Sequence, residues 1–494
     1  MKKIKLFEYL CTFDKEEWKR FGKFLNSPYH NSGRDFNTLY RLLHKYFPEL
    51  NEKKLNTEYV FSKLYPGDKF DKNRSSLTIR VLYSQLMNMA EKFMMIDRFL
   101  NSEACKNKRE LIYTESLTDR GLYEKAIKVS SGLYEKLQKD FKSGENIYDL
   151  LEAGAATAKI NMLMAKGNQN YRIYKNEYSY LIALYFEKLG RILNNHSNLV
   201  QRFNADPGGL DFLHKLVNDF DPGYFSSQVE GDEHGSMEYA VFLFDLCKSR
   251  ISPQDEIHYN SALNYFYNNF SKISPQNRFA LFTRLYNICR LKSFKIDYIK
   301  YSMVAHRLSD FMIKNDYYSE IQHEKMNMQT FDALFDFKYT VLSPAELKMF
   351  IDNSLINIKE DICETVRLFA YAFYFFKTKE FSKTLEFIAP ISLRELPNKH
   401  KILKLKIAAL FELKMYEEAL AAIESFEKYF NKDRKVNETK KDLSINFLNA
   451  VKMMINLELG GKEKEKYNLI KLLKKNRNTF WAEWLAEKAQ HIYE

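Results

Sequence analysis

Glycine and proline are scarce in this sequence, with 16 and 10 residues among 494. Between Gly235 and Gly460 there is no glycine at all. Tight β-turns and bulges draw on glycine far more often than that. A strand-rich fold is therefore excluded for the second half, and a helical one is expected.

Cysteine is thin as well. Cys11, Cys105, Cys247, Cys289 and Cys363 are scattered and form no CxxC pair. Neither a disulfide framework nor a zinc knuckle is expected, and reduced thiols in a cytoplasmic protein are. Long apolar runs are missing too. The most apolar stretch, "LFAYAFYFF" (368–376), is about half of what a bilayer span needs. The opening "MKKIKLFEYLCTFDKEEW" meets Glu8 early, and Asp14, Glu16 and Glu17 follow. Neither a signal peptide nor a membrane anchor is expected.

Sequence motifs of chemistry are absent in the same way. There is no GxGxxG, GxxxxGK[ST], HExxH or GxSxG, so nucleotide cradles, zinc-protease sites and nucleophile elbows have no carrier. The ten histidines are dispersed; "EGDEH" (230–234) gathers three carboxylates with His234 and reads as a solvated acidic loop. The expectation is a non-enzymatic protein with no cofactor, no metal and no catalytic residue.

What is present suits a large folded chain. Hydrophobic residues make up 45% and charged residues 28%, the balance of a globular protein. Aromatics reach 15%, with 33 Tyr and 39 Phe. The length calls for several domains or one extended array. The formal charge is +12, and residues 401–477 hold 18 Lys and Arg against 11 Asp and Glu.

Helix boundaries are written in capping residues. Asp14 with Glu17 makes a capping-box pattern, and Pro28, Pro48 and Pro66-Gly67 punctuate the first helices. A long helix is expected over about 74–100, with Leu77, Val81, Leu82, Leu86, Met89, Phe93 and Ile96 as its core stripe. "SPQDE" (252–256), "SPQNR" (274–278) and "SPAEL" (343–347) predict helix starts near 253, 275 and 344. The segment 205–237 has two Asp-Pro-Gly turns and five of the glycines, and reads as an irregular connection around one short helix.

The doubled pentapeptide in "GLYEKAIKVSSGLYEK" (121–136) is spaced by eleven residues, about three helical turns. Both copies are expected on one face of one helix. The first copy carries a second pattern: Gly121, Tyr123, Ala126 and Ile127. Tyr416, Ala419 and Leu420 reproduce it, with Ala409 ahead, and Phe381, Thr384 and Leu385 do so with Ala372 ahead. Phe381 to Tyr416 is a step of 35 residues. This resembles the tetratricopeptide repeat, in which small residues let two helices approach closely. Lys379 and Lys414 stand where the family has its turn glycine; Ser130 and Leu133 also depart from it. The segments "SPYHN" and "LYPGDKFDKNRSSLTIRVLYSQLMNMAEKF" are similar to the opening of a group of bacterial all-helical proteins of uncharacterised role, which implies no activity.

The resemblance implies an all-α α-solenoid of stacked antiparallel hairpins with partners held along the concave face. In that register Phe369, Phe373, Phe376, Lys401, Lys404 and Phe411 are the candidate groove for a protein or acidic peptide. Ala408 stands where a carboxylate-clamping Asn would be required, so chaperone-tail binding is not implied. The alternative reading is nucleic-acid or ribosome contact through the basic patch Lys471, Lys474, Lys475 and Arg477, with Phe480, Trp481 and Trp484 to stack bases. The expected organisation is an N-terminal helical module over 1–100, hairpins over 101–204, the connection over 205–237 and a repeat array over 238–494.

Overall fold

The computed structural model describes residues 4–31, 33–51, 53–141, 146–203, 208–228, 234–319, 321–393, 396, 398–432, 438–461, 463–475 and 479–493. It is 78% helix, with 24 α-helices and no strand among the described residues. One parallel bridge, Met326 with Ile358, is the isolated β contact. Two compact units divide the chain: residues 1–133 with 159–165, and residues 134–158 with 166–494. The first division therefore falls at 133, beyond the boundary expected near 100.

In the first unit lie α1 (Lys5–Leu10), α2 (Lys15–Leu25), α3 (Asn37–His44), α4 (Thr57–Leu64), α5 (Arg74–Asn101) and α6 (Lys106–Asp119). The next two helices, α7 (Tyr123–Lys139) and α8 (Ile147–Leu163), have residues in both units. Asp14 caps α2 in a complete capping box with Glu17. Helices α1, α2 and α4 pack on α5, around one core that runs from Leu6 to Phe93. Trp18 is fully buried there, ringed by Phe13, Phe21, Tyr40 and Phe47. Gly22 makes the close approach of α2 to α3 feasible, since a Cβ would lie 2.7 Å from the Tyr40 hydroxyl. The α5 stripe needs correction: Leu82, Leu86, Met89 and Phe93 are buried and Ile96 packs against the core, but Leu77 and Val81 are exposed. The short helices cover only the face centred on Ile79, Leu86 and Phe93, and the other two residues lie off it.

The second unit continues with α9 (Asn170–Phe203), α10 (Asp211–Asp219), α11 (Pro222–Gln228), α12 (Ser236–Ile251), α13 (Glu256–Asn268), α14 (Pro275–Lys295), α15 (Tyr298–Lys314) and α16 (Met328–Val341). It ends with α17 (Pro344–Leu355), α18 (Cys363–Lys377), α19 (Phe381–Ile388), α20 (Lys399–Glu412), α21 (Tyr416–Lys432), α22 (Glu438–Glu458), α23 (Glu463–Lys475) and α24 (Ala482–Tyr493). Among the described residues of the 205–237 segment two complete short helices occur, not one. The second Asp-Pro-Gly is a helix start rather than a turn: Asp221 accepts from the Tyr224 backbone, and Pro222 takes the first helical position. The first falls partly outside the described residues.

The starts at 275 and 344 are as expected, with Pro275 and Pro344 in the first turn and Ser343 in a capping box with Glu346. The start near 253 is not. Ser252 closes α12 by donating its N–H to Lys248, and Asp255 caps α13 instead, accepting from His258. An aspartate in extended backbone two residues after Pro253 is the better cap, so the helix waits for it.

Consecutive helices pack on each other, as in α14–α15, α15–α16, α17–α18, α18–α19, α19–α20 and α20–α21. Alternate helices also touch: α12–α14, α16–α18, α18–α20, α20–α22 and α22–α24. Tyr286 of α14 reaches α16, donating to the Ala333 carbonyl at 2.8 Å. A buried two-pronged pair joins α9 to α14, Arg284 donating to both Glu187 oxygens at 2.9 and 3.0 Å.

At least five helix ends share one backbone solution: Asp316 and Gly460, with φ of 59° and 92°, and three that precede α7, α19 and α21. Gly121, Lys379 and Lys414 all have positive φ, at 71°, 63° and 59°. At each, the next residue's N–H reaches back five residues, from Leu122 to Leu117, Glu380 to Phe375 and Met415 to Leu410. The left-handed residue itself bonds three back in every case. This is the Schellman ending of a helix, placed two residues before Tyr123, Phe381 and Tyr416, which open α7, α19 and α21. Ala126, Thr384 and Ala419 are fully buried, as are Ala372 and Ala409. The doubled pentapeptide is consequently split by structure. Its first copy straddles the turn, leaving Leu122 half exposed, while the second lies inside α7 with Leu133 and Tyr134 buried.

Candidate functional site

Helix α20 brings His400, Lys401 and Lys404 to a cavity of about 240 Å³ in the second unit. Its other walls are Arg290 of α14, Tyr298 of α15, Asp336 and Phe337 of α16, Phe373 of α18, Phe447 of α22, and Phe480 with Trp481 ahead of α24. Lys401 is fully engaged, donating to Asp332 Oδ1 at 2.7 Å and to Asp336 Oδ1 at 2.6 Å. Burial lowers its pKa, but the two carboxylates outweigh that and hold it above the ordinary lysine value. Burial pushes the Asp336 carboxyl up, Lys401 notwithstanding.

Lys404, one turn further along α20, is different. It is 9% exposed, and its ammonium lies over the face of Phe447, 5.5 Å from the ring centre. Burial alone brings its pKa down to about 7. The two carboxylates on this wall are already committed to Lys401.

The groove residues expected from sequence are otherwise core. Phe369, Phe373, Phe376 and Phe411 are all buried. Phe369 and Phe373 pack on Phe335, Phe376 on Phe381 and Trp481, and Phe411 on Tyr416 and Trp484. On helices contacted by neighbours before, behind and beside them, an apolar stripe at helical spacing is consumed by packing. Of the six, Phe373, Lys401 and Lys404 reach the cavity.

The basic C-terminal patch is described only in part. Lys471 is exposed on α23; the side chains of Lys474 and Lys475, and all of Arg477, lie outside the described residues. The aromatic residues meant for base stacking are occupied. Phe480 stacks on Tyr339, Trp481 is buried against Phe447, and Trp484 donates its indole N–H to Glu412 at 2.7 Å. Of "EGDEH", only His234 is described.

A second surface has no counterpart in the sequence reading. Along α9, Tyr171, Tyr174, Tyr178, Leu181, Tyr185, Ile192 and Leu199 are between 38% and 74% exposed. Their steps are 3, 4, 3, 4, 7 and 7 residues, the a/d spacing of a coiled-coil seam. Lys188 and Asn195 take the two remaining seam positions. On the opposite side of the same helix Tyr180, Ala183, Phe186, Leu189 and Leu193 are buried. Two apolar faces on one helix read from sequence as a helix buried all round. The available signal was the strict heptad period.

A second cavity, of about 350 Å³, lies among α15, α16 and α17. Its charges satisfy one another: Lys338 meets Asp310 and lies 3.0 Å from His306 Nδ1, whose other nitrogen is 3.2 Å from Asp310. Among the described residues no group of three or more His, Cys, Asp or Glu could hold a metal ion, and no helix is long and apolar enough to cross a membrane. No protein-family model matches the chain, and neither a curated protein nor a solved structure matches it.

Proposed function

We propose that this chain is a non-enzymatic protein–protein interaction scaffold of the cytoplasm, a tetratricopeptide-like α-solenoid of stacked helical hairpins that docks a helical segment of a partner along α9. The observation that carries the reading is the exposed seam on that helix. Isolated apolar residues on a surface need no explanation, but a row at one period, unbroken from Tyr171 to Tyr185, is the mark of an interface. A partner helix with its own apolar stripe would fill the spaces between the tyrosine rings, whose hydroxyls tolerate water before binding and cost little side-chain entropy on docking. The hairpin part of the reading rests on the three matching Schellman turns and the buried small residues beyond them.

The test pairs the wild type with Tyr178→Glu/Tyr185→Glu. Proteins that co-purify from the native cell with the wild type at high salt are expected to be lost with the variant, whose melting temperature is unchanged. Capture of the same set by both chains would refute docking along α9. Binding of nucleic acid that collapses with rising salt would favour the basic C-terminal region instead.

A further inference from the structure

Three lysines are buried among the described residues: Lys292, Lys338 and Lys404. Two are satisfied. Lys292 donates to the Pro253 and Asp255 carbonyls at 2.5 and 2.8 Å, and Lys338 meets Asp310 and His306. Lys404 alone has no hydrogen-bond acceptor among the described residues, and it lines the cavity of about 240 Å³. An ammonium that gives up most of its hydration without an acceptor is costly. Folding tolerates such a group most readily where something else completes it.

We propose that this cavity binds one small organic monoanion, a carboxylate on an apolar body, with the Lys404 ammonium as its counter-ion. The charge on the walls sets the valence. Lys401 with Asp332 and Asp336 carries a net negative charge, which Arg290 at the rim offsets, and Lys404 is left as the surplus cation. A phosphate dianion would bring a second negative charge beside the half-buried Asp336. The remaining walls are the rings of Phe337, Phe373, Phe447, Phe480 and Trp481, which receive the apolar body. Size sets the rest: an apolar cavity of about 150 Å³ accepts benzene, so this one has room for a ring and a short acid arm, while drug-sized ligands occupy about 300 Å³ or more. The same chemistry could be supplied by a free acid or by the C-terminal carboxylate of a chain ending in phenylalanine.

Calorimetric titration of the full chain with 3-phenylpropanoate and with its uncharged amide tests this site independently of the α9 seam. The acid is expected to bind at least tenfold more tightly than the amide. Lys404→Met should abolish that preference without lowering the melting temperature. A second measurement needs no variant: saturating acid should slow acetylation of Lys404, read by mass spectrometry, and leave exposed lysines unaffected. A short peptide ending in phenylalanine that binds more tightly than the free acid would assign the carboxylate to a chain end, and weaker binding would assign it to a free acid. The proposal fails if the acid shows no binding at millimolar concentration, if amide and acid bind alike, or if Lys404 is acetylated equally fast with acid present.

Discussion

At the scale of single residues, Lys379 and Lys414 hold a backbone conformation that suits glycine. A side chain in the left-handed region costs about 1 kcal/mol or more, and Gly121 shows the unstrained form of the same turn. A Cβ on Gly121 would meet nothing within 4 Å, so the preference there is purely one of backbone. Lys379→Gly and Lys414→Gly are each expected to stabilise the protein by about 0.5–1 kcal/mol, and Gly121→Ala to destabilise it by about as much. Chemical denaturation measures all three; loss of stability in both lysine variants would contradict the shared turn. Sequence comparison counts Lys379 and Lys414 as departures from the repeat, yet the chain makes the same turn with them. Hydrogen bonds to the preceding helix dictate the conformation, and residue type only adjusts its cost.

Elements were legible where local chemistry decides and illegible where neighbours do. "SPQNR" and "SPAEL" look alike in sequence, and both start helices. Ser343 caps its helix through Glu346, whereas the Ser274 hydroxyl is buried without a partner. Ser343→Ala is expected to cost about 1 kcal/mol, and Ser274→Ala to be neutral or stabilising, because it removes an unsatisfied buried hydroxyl. Thermal melts of the two variants separate these outcomes, and equal losses would show the caps to be equivalent. The same limit explains the groove. Phe369, Phe373 and Phe376 lie where the period places them on α18, but a period says which residues share a face, not what covers it. Helices α16 and α20 and the Phe480-Trp481 segment cover this one, while the seam on α9 is left open.

For the molecule as a whole, the uncompensated lysine predicts a pH dependence of stability. The Lys404 pKa falls from 10.5 to about 7 on folding. Between those values the unfolded chain binds the extra proton, so stability rises with pH through this window, by at most about 1.4 kcal/mol per pH unit. Below pH 7 the penalty is present in full. The titratable groups that line the cavity with Lys404 are Arg290, Tyr298 and Asp336 from other helices and His400 and Lys401 from its own, and Asp336 is held by Lys401 at 2.6 Å. Urea midpoints of wild type and Lys404→Met from pH 6 to pH 10 isolate the contribution. The variant should be more stable at pH 6, with the gap closing towards pH 10; a gap independent of pH would remove Lys404 as its source.

Sequence by itself determined that this chain is helical, where helices such as α2, α14 and α17 begin, and which small residues are buried beyond the shared turns. Those properties follow from glycine scarcity, capping side chains and a period near 3.6, all of which act over a few residues. Only the tertiary structure decided that six candidate groove residues are divided between core and cavity, that Lys404 is left without an acceptor, and that one face of α9 meets solvent. Burial and pairing depend on which distant segments arrive at a surface, and no local pattern records that.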